Sequence, residues 1–461
     1  MRSKLKIIFT KLPALGIYFL FIFPLCADEA PVSLSLDNAI QLALKNHVDV
    51  KLAQARTEDA RGKILLAASS ILPQAIGSVL QYRTFMENLA AQGISFPGIN
   101  PALGPFNTFD ARIQLSQELL DMSAHQKVKS SRRLLEAALA REQLAKENVA
   151  AAAALSYVEA LRAAKAKDEA QAGVDLAQKL QSQAGHQYKV GAAAGIDLAR
   201  SETRAAEEDL RLLQAETSVQ DAYTRLKRIV NIPLGRLIQL SDRLSFNQEE
   251  IISLDKAVSM ALVKRAEIKI ADEEYQSAEY ALSASKWNRA PSLSLFGNYG
   301  LSGNNPDSSA IVTGAMGVSL NFPLFTSGRI SGQTRESAAR RDEAFAVLSD
   351  LRWKVEEDVR LAEDRIQISA RRVQTSEQAV HLAEREMEMA HDRFSAGAGN
   401  NIEVISAQAA LARVQDAYVA ALADYSFARI NLAMSLGEMA SFKFTVLEGD
   451  KNDKDNPGKP H

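Results

Sequence analysis

The stretch that decides the fold covers residues 290–329 and reads APSLSLFGNYGLSGNNPDSSAIVTGAMGVSLNFPLFTSGR. Within it, apolar residues alternate with small or polar ones over residues 311–322, which is the period-two pattern of a β-strand. The segment before it alternates in the same way, and GNNPDSS supplies loop residues between the two. Long helical patterns stop at Pro291 and resume after Gly328. The stretch therefore predicts a β-hairpin between helices.

A second hairpin is predicted earlier in the chain. A strand-like run follows Pro73 and continues to about Phe85. The next segment, of about 20 residues ending near Phe106, is longer than most connections in a compact domain, so we expect an exposed loop. The return strand alternates Phe109, Ala111, Ile113 and Leu115 with Asp110, Arg112, Gln114 and Ser116.

The chain contains an internal repeat. The opening SLDNAIQLAL, at residues 35–44, recurs as SLDKAVSMAL at residues 253–262. Asp255 follows Asp37 by 218 residues, and the prolines that end the two opening helices, at 73 and 291, are also 218 residues apart. An ungapped register over this span predicts a structural duplication. Each repeat comprises an opening helix, a strand pair, a long helix and a return helix: 28–245 with strands in 74–118, and 246–440 with strands in 291–324.

Two very long helices are predicted. No proline interrupts residues 123–189 or 329–395, so each segment can form one helix of about 67 residues, or ~100 Å. Glycine-containing breaks end both, and return helices run to Val230 and Ser435. An opening and a return helix placed end to end would match one long helix. Such columns must bury a seam against neighbours, as coiled coils do.

The predicted sheet cannot close by itself. Four strands leave two bare edges, which favours closure by symmetry-related copies of the chain. Bacterial outer-membrane barrels have at least eight strands, so two copies are the minimum and three would give twelve.

The N-terminus resembles a secretory signal peptide. Basic residues precede an apolar segment, and the pattern predicts residues 1–27 as the peptide, with cleavage after Ala27. Cys26, the sole cysteine, could instead be a lipidation site. After cleavage at Ala27 the mature chain would have no disulfide. No other apolar run is long enough for a helix to span a bilayer, so membrane contact is expected through strands.

Charge and composition exclude several functions. The chain has 54 basic and 56 acidic residues, so no basic field indicates nucleic acid. Acidic runs such as Glu207-Glu208-Asp209 and Glu356-Glu357-Asp358 are expected on solvated helix faces. No catalytic constellation or phosphate loop is present, so we expect neither an enzyme nor a cofactor. Met387, Met389 and His391 do not predict a metal site, because residues two apart lie on opposite sides of a helix.

Several motifs together resemble the TolC-type outer-membrane channels of tripartite efflux pumps and type I secretion systems. They are the repeated LxLxxAxxxAL-like opening, the proline-terminated first helix, residues 323–329 before the long helix, and Gly-x5-[DE]-[LV] turns at Gly191 and Gly397. The resemblance implies a mainly α fold with membrane β-structure. Three protomers would form a coiled-coil α-barrel and a twelve-stranded barrel in the outer membrane of a Gram-negative bacterium, extending into the periplasm.

The resemblance also implies a function and partners. The chain would be a passive export conduit, gated at its periplasmic helical tip, that works with a periplasmic adaptor (membrane fusion) protein and an inner-membrane transporter. A periplasmic coiled-coil adaptor or scaffold outside the membrane is the alternative. An adaptor should have one central helical hairpin flanked by lipoyl-like and β-barrel segments, whereas this chain has two hairpins split by two strand pairs. The strand pairs could also be ordinary soluble hairpins.

Site residues follow from the same resemblance. In that family, acidic residues past the second turn ring the entrance; Glu403 falls on the first acidic position, and Ser406 departs from the second. Phe394 replaces a frequent tyrosine, and Asp197 matches a tip aspartate. Taken alone, Glu403 and Asp197 are typical helix N-terminal charges. The turns assigned to adaptor contact contain Gly191, Gly195, Gly397 and Gly399. Pro323 and Gly328 are assigned to the strand-to-helix turn, 231–252 and 436–448 to a girdle around the tunnel, and 441–461 to an equatorial or disordered tail.

Overall fold

The computed structural model describes most of the chain. The described residues are 32–88, 91, 93, 102–191, 193–247, 253–307, 309–396, 398–439 and 442. The predicted signal peptide with Cys26, the turn residue Gly397, and the predicted tail except for Phe442 lie outside them.

Eight helices form most of the described part of the chain, and two of them are very long. The long helices have 68 and 67 residues, or about 100 Å, as predicted. Within the described residues, no helix is both long and apolar enough to cross a bilayer. The helices are α1 (Leu36–Asn46), α2 (Val48–Ser69), α3 (Met122–Lys189), α4 (Gly195–Val230), α5 (Leu254–Lys264), α6 (Ala266–Trp287), α7 (Arg329–Ser395) and α8 (Asn401–Leu436).

The prediction of one continuous opening helix per repeat is wrong. The first opening helix breaks at His47 and the second at Arg265, where the backbone is extended with ψ of 140° and 126°. The breaks are again 218 residues apart. Arg265 donates hydrogen bonds to Glu267 beyond the break and to Asp358 on α7, the latter at 2.8 Å. Tertiary contacts therefore hold at least the second break.

The middle of the helical column contains the largest apolar core. Strand β1 (Val32–Leu34) pairs in parallel with β6 (Ile238–Leu240), and both pack on the middle of α3. The hydroxyl of Tyr157 on α3 donates to the carbonyl oxygen of Leu34 at 2.8 Å. Burial, together with nearby Asp242, raises the pKa of Tyr157. The described part of the predicted girdle thus lies against the middle of the helices.

A four-stranded antiparallel sheet follows the C-terminal ends of the opening helices α2 and α6. Its order is β2-β5-β7-β8, so β2 and β8 are its edges. The observed strands differ from the predicted pairs 74–118 and 291–324 at their ends. Strand β5 runs past residue 118 to Leu120, directly before α3, and β8 ends at Asn321, before residues 322–328. The strands are β2 (Gln74–Thr84), β5 (Phe106–Leu120), β7 (Ser292–Gly303) and β8 (Ile311–Asn321), with β3 (Glu87–Asn88) and β4 (Ala102–Leu103) forming a separate short pair.

The register of the sheet confirms the predicted alternation. Leu115 pairs with Gly297, which pairs with Met316, and Ile113 pairs with Tyr299, so apolar residues of neighbouring strands share one face. The other face is mainly polar or small. It carries Ser78, Asp110, Arg112, Gln114, Asn298, Ser302 and Thr313.

Candidate functional site

The connection between α3 and α4 is the first of two interhelical turns, and it lies far from the sheet. Gly191 has φ of +78°, a conformation that favours glycine because other side chains are strained there. Helix α4 begins at Gly195, and its N-cap residue, Ala194, makes no side-chain cap hydrogen bond. Asp197 lies in the first turn of α4, and its carboxylate is 3.6 Å from Arg200. Asp197 is therefore placed as a helix N-terminal charge.

The second turn joins α7 to α8. Its N-cap, Asn400, accepts a hydrogen bond from the backbone N–H of Ile402 at 3.2 Å. Glu403 is exposed, and its carboxylate is 3.3 Å from Nε of Arg393 at the end of α7. A Cβ added to Gly399 would lie 3.0 Å from Arg393 and Phe394, so this turn is tightly folded over the end of α7. The charge of Glu403 is thus partly balanced within its own hairpin.

The two turns are joined by a hydrogen bond that sequence reasoning missed. The side-chain amide of Asn401 donates to the backbone carbonyl of Asp197 at 2.8 Å, and Asn401 is buried. A weaker contact runs from Gln183 to Ser395 at 3.4 Å. Asparagine after an N-cap is a weak signal, and its partner is about 200 residues away. The structure therefore brings the tips of both repeats together.

Phe394 and Ser406 occupy different environments. Phe394 is only 9% exposed and packs in an apolar cluster of α3, α7 and α8. Ser406 lies on the exposed side of α8, as Glu403 does one turn earlier. Phe394 thus stabilises the tip through packing rather than through a polar bond. The buried members of the cluster are Leu180, Met387, Ala390, Phe394, Val404 and Ala407.

A buried charge cluster lies further along the tip hairpins. Glu208 on α4 is 1% exposed, so the predicted solvated face is wrong at this residue. Arg204 and Arg211 both contact its carboxylate, and Arg211 also donates to Asp416 on α8 at 2.6 Å. Although burial opposes the charge, these hydrogen bonds raise the pKa of Arg211. The carboxylate fits because Gly173 faces it: a Cβ there would lie 2.7 Å from Glu208 Oε2.

The tip also exposes apolar side chains that sequence reasoning did not single out. They lie in and beside the two turns, on both hairpins. Soluble surfaces carry single exposed apolar residues routinely, but a group of them at one end of a molecule indicates a contact surface. The group comprises Tyr188, Val190, Ile196 and Ile402.

Pro323 and Gly328 lie at the opposite end of α7 from the tip. Gly328 is the N-cap residue of α7 with φ of +82°, and Ser327 before it also has positive φ. In the same loop, Leu324 and Phe325 are 93% and 88% exposed. Pro323 and Gly328 therefore lie between strand β8 and helix α7, and not at the tip.

Comparison with known proteins decides the family. A family model described as outer membrane efflux protein matches residues 39–231 and 257–438. The chain belongs to the outer membrane efflux protein family. Both matched segments include a long helix and its return helix, and the predicted family and its outer-membrane location are confirmed.

Relatives and solved structures agree with this assignment. The efflux protein is 21% identical over 388 residues to the pyoverdine export outer membrane protein OpmQ of Pseudomonas aeruginosa, covering 83% of this chain and 81% of that protein. The structure of the present chain resembles the CmeC outer membrane channel of Campylobacter jejuni, with a TM-score of 0.78 and 20% identity over 88% of this chain and 86% of that chain. The outer membrane protein VceC of Vibrio cholerae resembles it with a TM-score of 0.76 and 20% identity, over 87% of this chain and 96% of that chain. The predicted fold class is confirmed.

Within the described residues of this efflux protein, no group of three or more His, Cys, Asp or Glu side chains is arranged to hold a metal ion. Met387 is buried in the tip cluster, whereas Met389, two residues away, is exposed. The tip carboxylates of Asp197 and Glu403 are instead paired with Arg200 and Arg393.

Proposed function

We propose that the chain is a subunit of a homotrimeric channel-tunnel: a passive export conduit of a tripartite efflux pump or type I secretion system. The observation that carries the proposal is the four-stranded sheet, which has one apolar face, one polar face and two unpaired edges. Membrane strands in a barrel have this alternation, because one face meets lipid and the other the lumen. Family membership supports the same function.

Pairing between copies would close the sheet. Strand β8 at one edge and β2 at the other are both 11 residues long, so β8 of one subunit can pair with β2 of the next. Three copies would give twelve strands, an even number within the bacterial range. Closure removes every edge, which also removes the risk of edge-to-edge aggregation.

The helices would continue the conduit across the periplasm. Helix α7 exposes apolar residues at heptad multiples, Leu361, Ile368 and Leu382, and such a stripe is typical of a coiled-coil seam. Within the described residues of a single chain nothing covers this stripe, so a neighbouring subunit is its natural partner. The tip would then meet the adaptor protein through the exposed apolar side chains around Val190 and Ile402.

The gate would lie at the tip, where two hairpins of each subunit are tied by Asn401. Opening requires the hairpins to separate, so the hydrogen bond from Asn401 to Asp197 resists it. Threefold symmetry would bring three copies of Glu403 together, and Arg393 would offset part of their repulsion. Replacing Glu403 with Ala should therefore change the block of current by divalent cations. Arg393→Gln should strengthen that block, because it removes the positive charge beside Glu403.

The experiment is purification followed by conductance measurement in planar bilayers. We expect a heat-sensitive trimer in detergent that forms channels. Asn401→Ala removes the donor of this hydrogen bond, at about 1 kcal/mol, so the open fraction should rise roughly fivefold. Gln214→Ala, on the exposed side of α4, is the control and should behave as wild type.

One result would contradict the conduit, and another would contradict only the role of the tip link. A soluble monomer recovered from the periplasm would favour the adaptor or scaffold alternative. Channels whose open fraction is the same in Asn401→Ala and wild type would leave the conduit in place but remove the tip link from its gate.

A further inference from the structure

We propose that Asp110 and Arg112 form a ring of paired charges inside the membrane section of the channel, and that this ring sets the ionic selectivity of that section. The proposal rests on the trimeric conduit and adds to it a second element of selectivity, about 100 Å from the tip along the long helices.

The four strands of the sheet contain only four charged residues, and all of them are described. Asp110, Arg112 and Glu118 lie on β5 and share the polar face of the sheet. The fourth, Arg83, lies on the other face near the loop end of β2. Strands β7 and β8 carry none. All the charge on the polar face therefore comes from a single strand.

The apolar face identifies which side meets lipid. From Leu293 at the helix end to Phe109 at the loop end, it carries no charged side chain. This band is about ten residues long, which at ~3.3 Å per residue and a tilt near 40° covers roughly 25 Å, the height of an outer-membrane apolar band. Arg83 lies beyond the band. The face with Asp110 and Arg112 is therefore the lumen face, within the height of the membrane.

The pair itself is well formed. Arg112 donates from both Nε and Nη2 to the two carboxylate oxygens of Asp110, the bidentate geometry that arginine favours. Its cross-strand neighbours are small: Ser78 on one side and Gly300 on the other. A Cβ at Gly300 would lie 2.5 Å from Arg112 Cα and 2.6 Å from its Cβ. Arg112 is thus the one long side chain of its row, and it and Asp110 remain partly exposed, with 27% and 23% of their side-chain surfaces accessible.

The size of the channel lets these charges act on passing ions. Twelve strands ~4.8 Å apart and tilted ~40° put the wall about 12 Å from the axis. The Debye length is ≈ 10 Å at 0.1 M salt and ≈ 30 Å at 0.01 M, so charges on the wall reach the axis at low ionic strength. In each subunit Arg112 cancels Asp110. Removing one partner would leave three like charges in a ring.

The test compares ion permeabilities in planar bilayers under a KCl gradient. With the dilute solution near 0.01 M, Asp110→Asn should lower the cation-to-anion permeability ratio about twofold, and Arg112→Gln should raise it about twofold. The double variant, which is neutral again, should return to the wild-type ratio. Arg83→Gln removes the same charge from the same sheet on its other face, and it should change nothing.

The position of the ring gives a second readout. Protein added to one chamber leaves its helical tunnel on that side, so the barrel end faces the other chamber. Both shifts should be larger when the dilute solution is on the barrel side, because screening is then weakest at the ring. Shifts that are larger with the dilute solution on the tunnel side would assign selectivity to the tip and overturn the proposal.

Other outcomes are equally decisive. Wild-type selectivity in both single variants, or shifts in the same direction, would overturn the ring while leaving the conduit intact. Heat-sensitive trimers on gels show that each variant has assembled; if the single variants fail to assemble and the double variant succeeds, the pair is structural and the proposal is wrong. A wild-type protein that forms no channels would overturn the conduit, and the ring with it.

Discussion

The two long hairpins, α3–α4 and α7–α8, match in length but differ in what they bury. The long helices have 68 and 67 residues, and both return helices have 36. With Asn401 corresponding to Gly195, the second hairpin follows the first by 206 residues. The first buries Glu208 against Gly173, whereas the corresponding residues of the second are Val414 and Ala379. Length is thus retained while the interior has diverged.

The surroundings of the two long helices differ as well. Helix α3 has 21 buried residues and packs against α2, α4, α6 and α8, whereas α7 has 12 and leaves an apolar stripe uncovered. The long helix of the first repeat therefore lies in the interior of the subunit, and the long helix of the second lies at an edge. The difference indicates how a duplicated unit can supply both a folded core and a surface for assembly.

The largest expected effect comes from the buried charge of the first hairpin. Glu208→Ala leaves Arg204 and Arg211 without a buried carboxylate and should lower the stability of the hairpin by about 3 kcal/mol. The measurement is the midpoint of denaturant unfolding followed by circular dichroism. Glu207→Ala is the matched control, since Glu207 also contacts Arg204 but its side chain is 58% exposed.

A fourfold substitution would sharpen this comparison. Gly173→Ala, Glu208→Val, Arg204→Ala and Arg211→Ala together give the first hairpin the residues of the second at all four positions. Apolar replacement of buried ionic groups is often neutral, so most of the lost stability should return. Equal stability of Glu208→Ala and Glu207→Ala would contradict a structural role for the buried charge.

The next effect concerns the edge character of α7. Ile368 is 65% exposed in the single chain but would be buried against a neighbouring subunit. Ile368→Asp should raise the concentration at which the trimer dissociates by about tenfold or more, because a buried carboxylate has no partner there. Size-exclusion chromatography in detergent measures it. The adjacent, exposed Gln367→Asp is the control, and a trimer unaffected by Ile368→Asp would place this stripe outside the interface.

The smallest effect concerns the caps of the two return helices. Asn400 caps α8 with its side chain, whereas the corresponding Ala194 on α4 does not. Asn400→Ala should destabilise the first turn of α8 by about 1 kcal/mol, and Ala194→Asn should stabilise that of α4 by a similar amount. Amide hydrogen exchange at the two tips should change roughly fivefold in opposite directions. Changes in the same direction would mean that the tip, and not the cap, controls local opening.

Local patterns were enough to predict the long helices and the sheet. Helix α7 was predicted over residues 329–395 and is Arg329–Ser395, because proline and glycine mark its ends, it contains no proline, and its one glycine, Gly332, lies in the first turn. The faces of the strands followed from period two. The breaks at His47 and Arg265 could not be predicted, since neither site has glycine or proline, and the contact of Arg265 with Asp358 is tertiary.

The site was only partly predictable for the same reason. Glu403 and Asp197 were located correctly at the turns, but the hydrogen bond from Asn401 and the ion pair with Arg393 depend on how the turns fold. Glu208 was interpreted as solvated because its neighbours are charged. Its burial depends on Gly173, a residue whose effect is visible only when α3 and α4 are packed together.

The unpaired strands β2 and β8 have a consequence for biogenesis. A lone subunit cannot satisfy its outer backbone groups in hydrocarbon, where water is absent. In the proposed trimer, three chains must therefore meet before any of them crosses the lipid, which would make insertion depend steeply on their supply. Before assembly, a periplasmic chaperone that covers the exposed edge strands would protect each chain from incorrect strand pairing and aggregation.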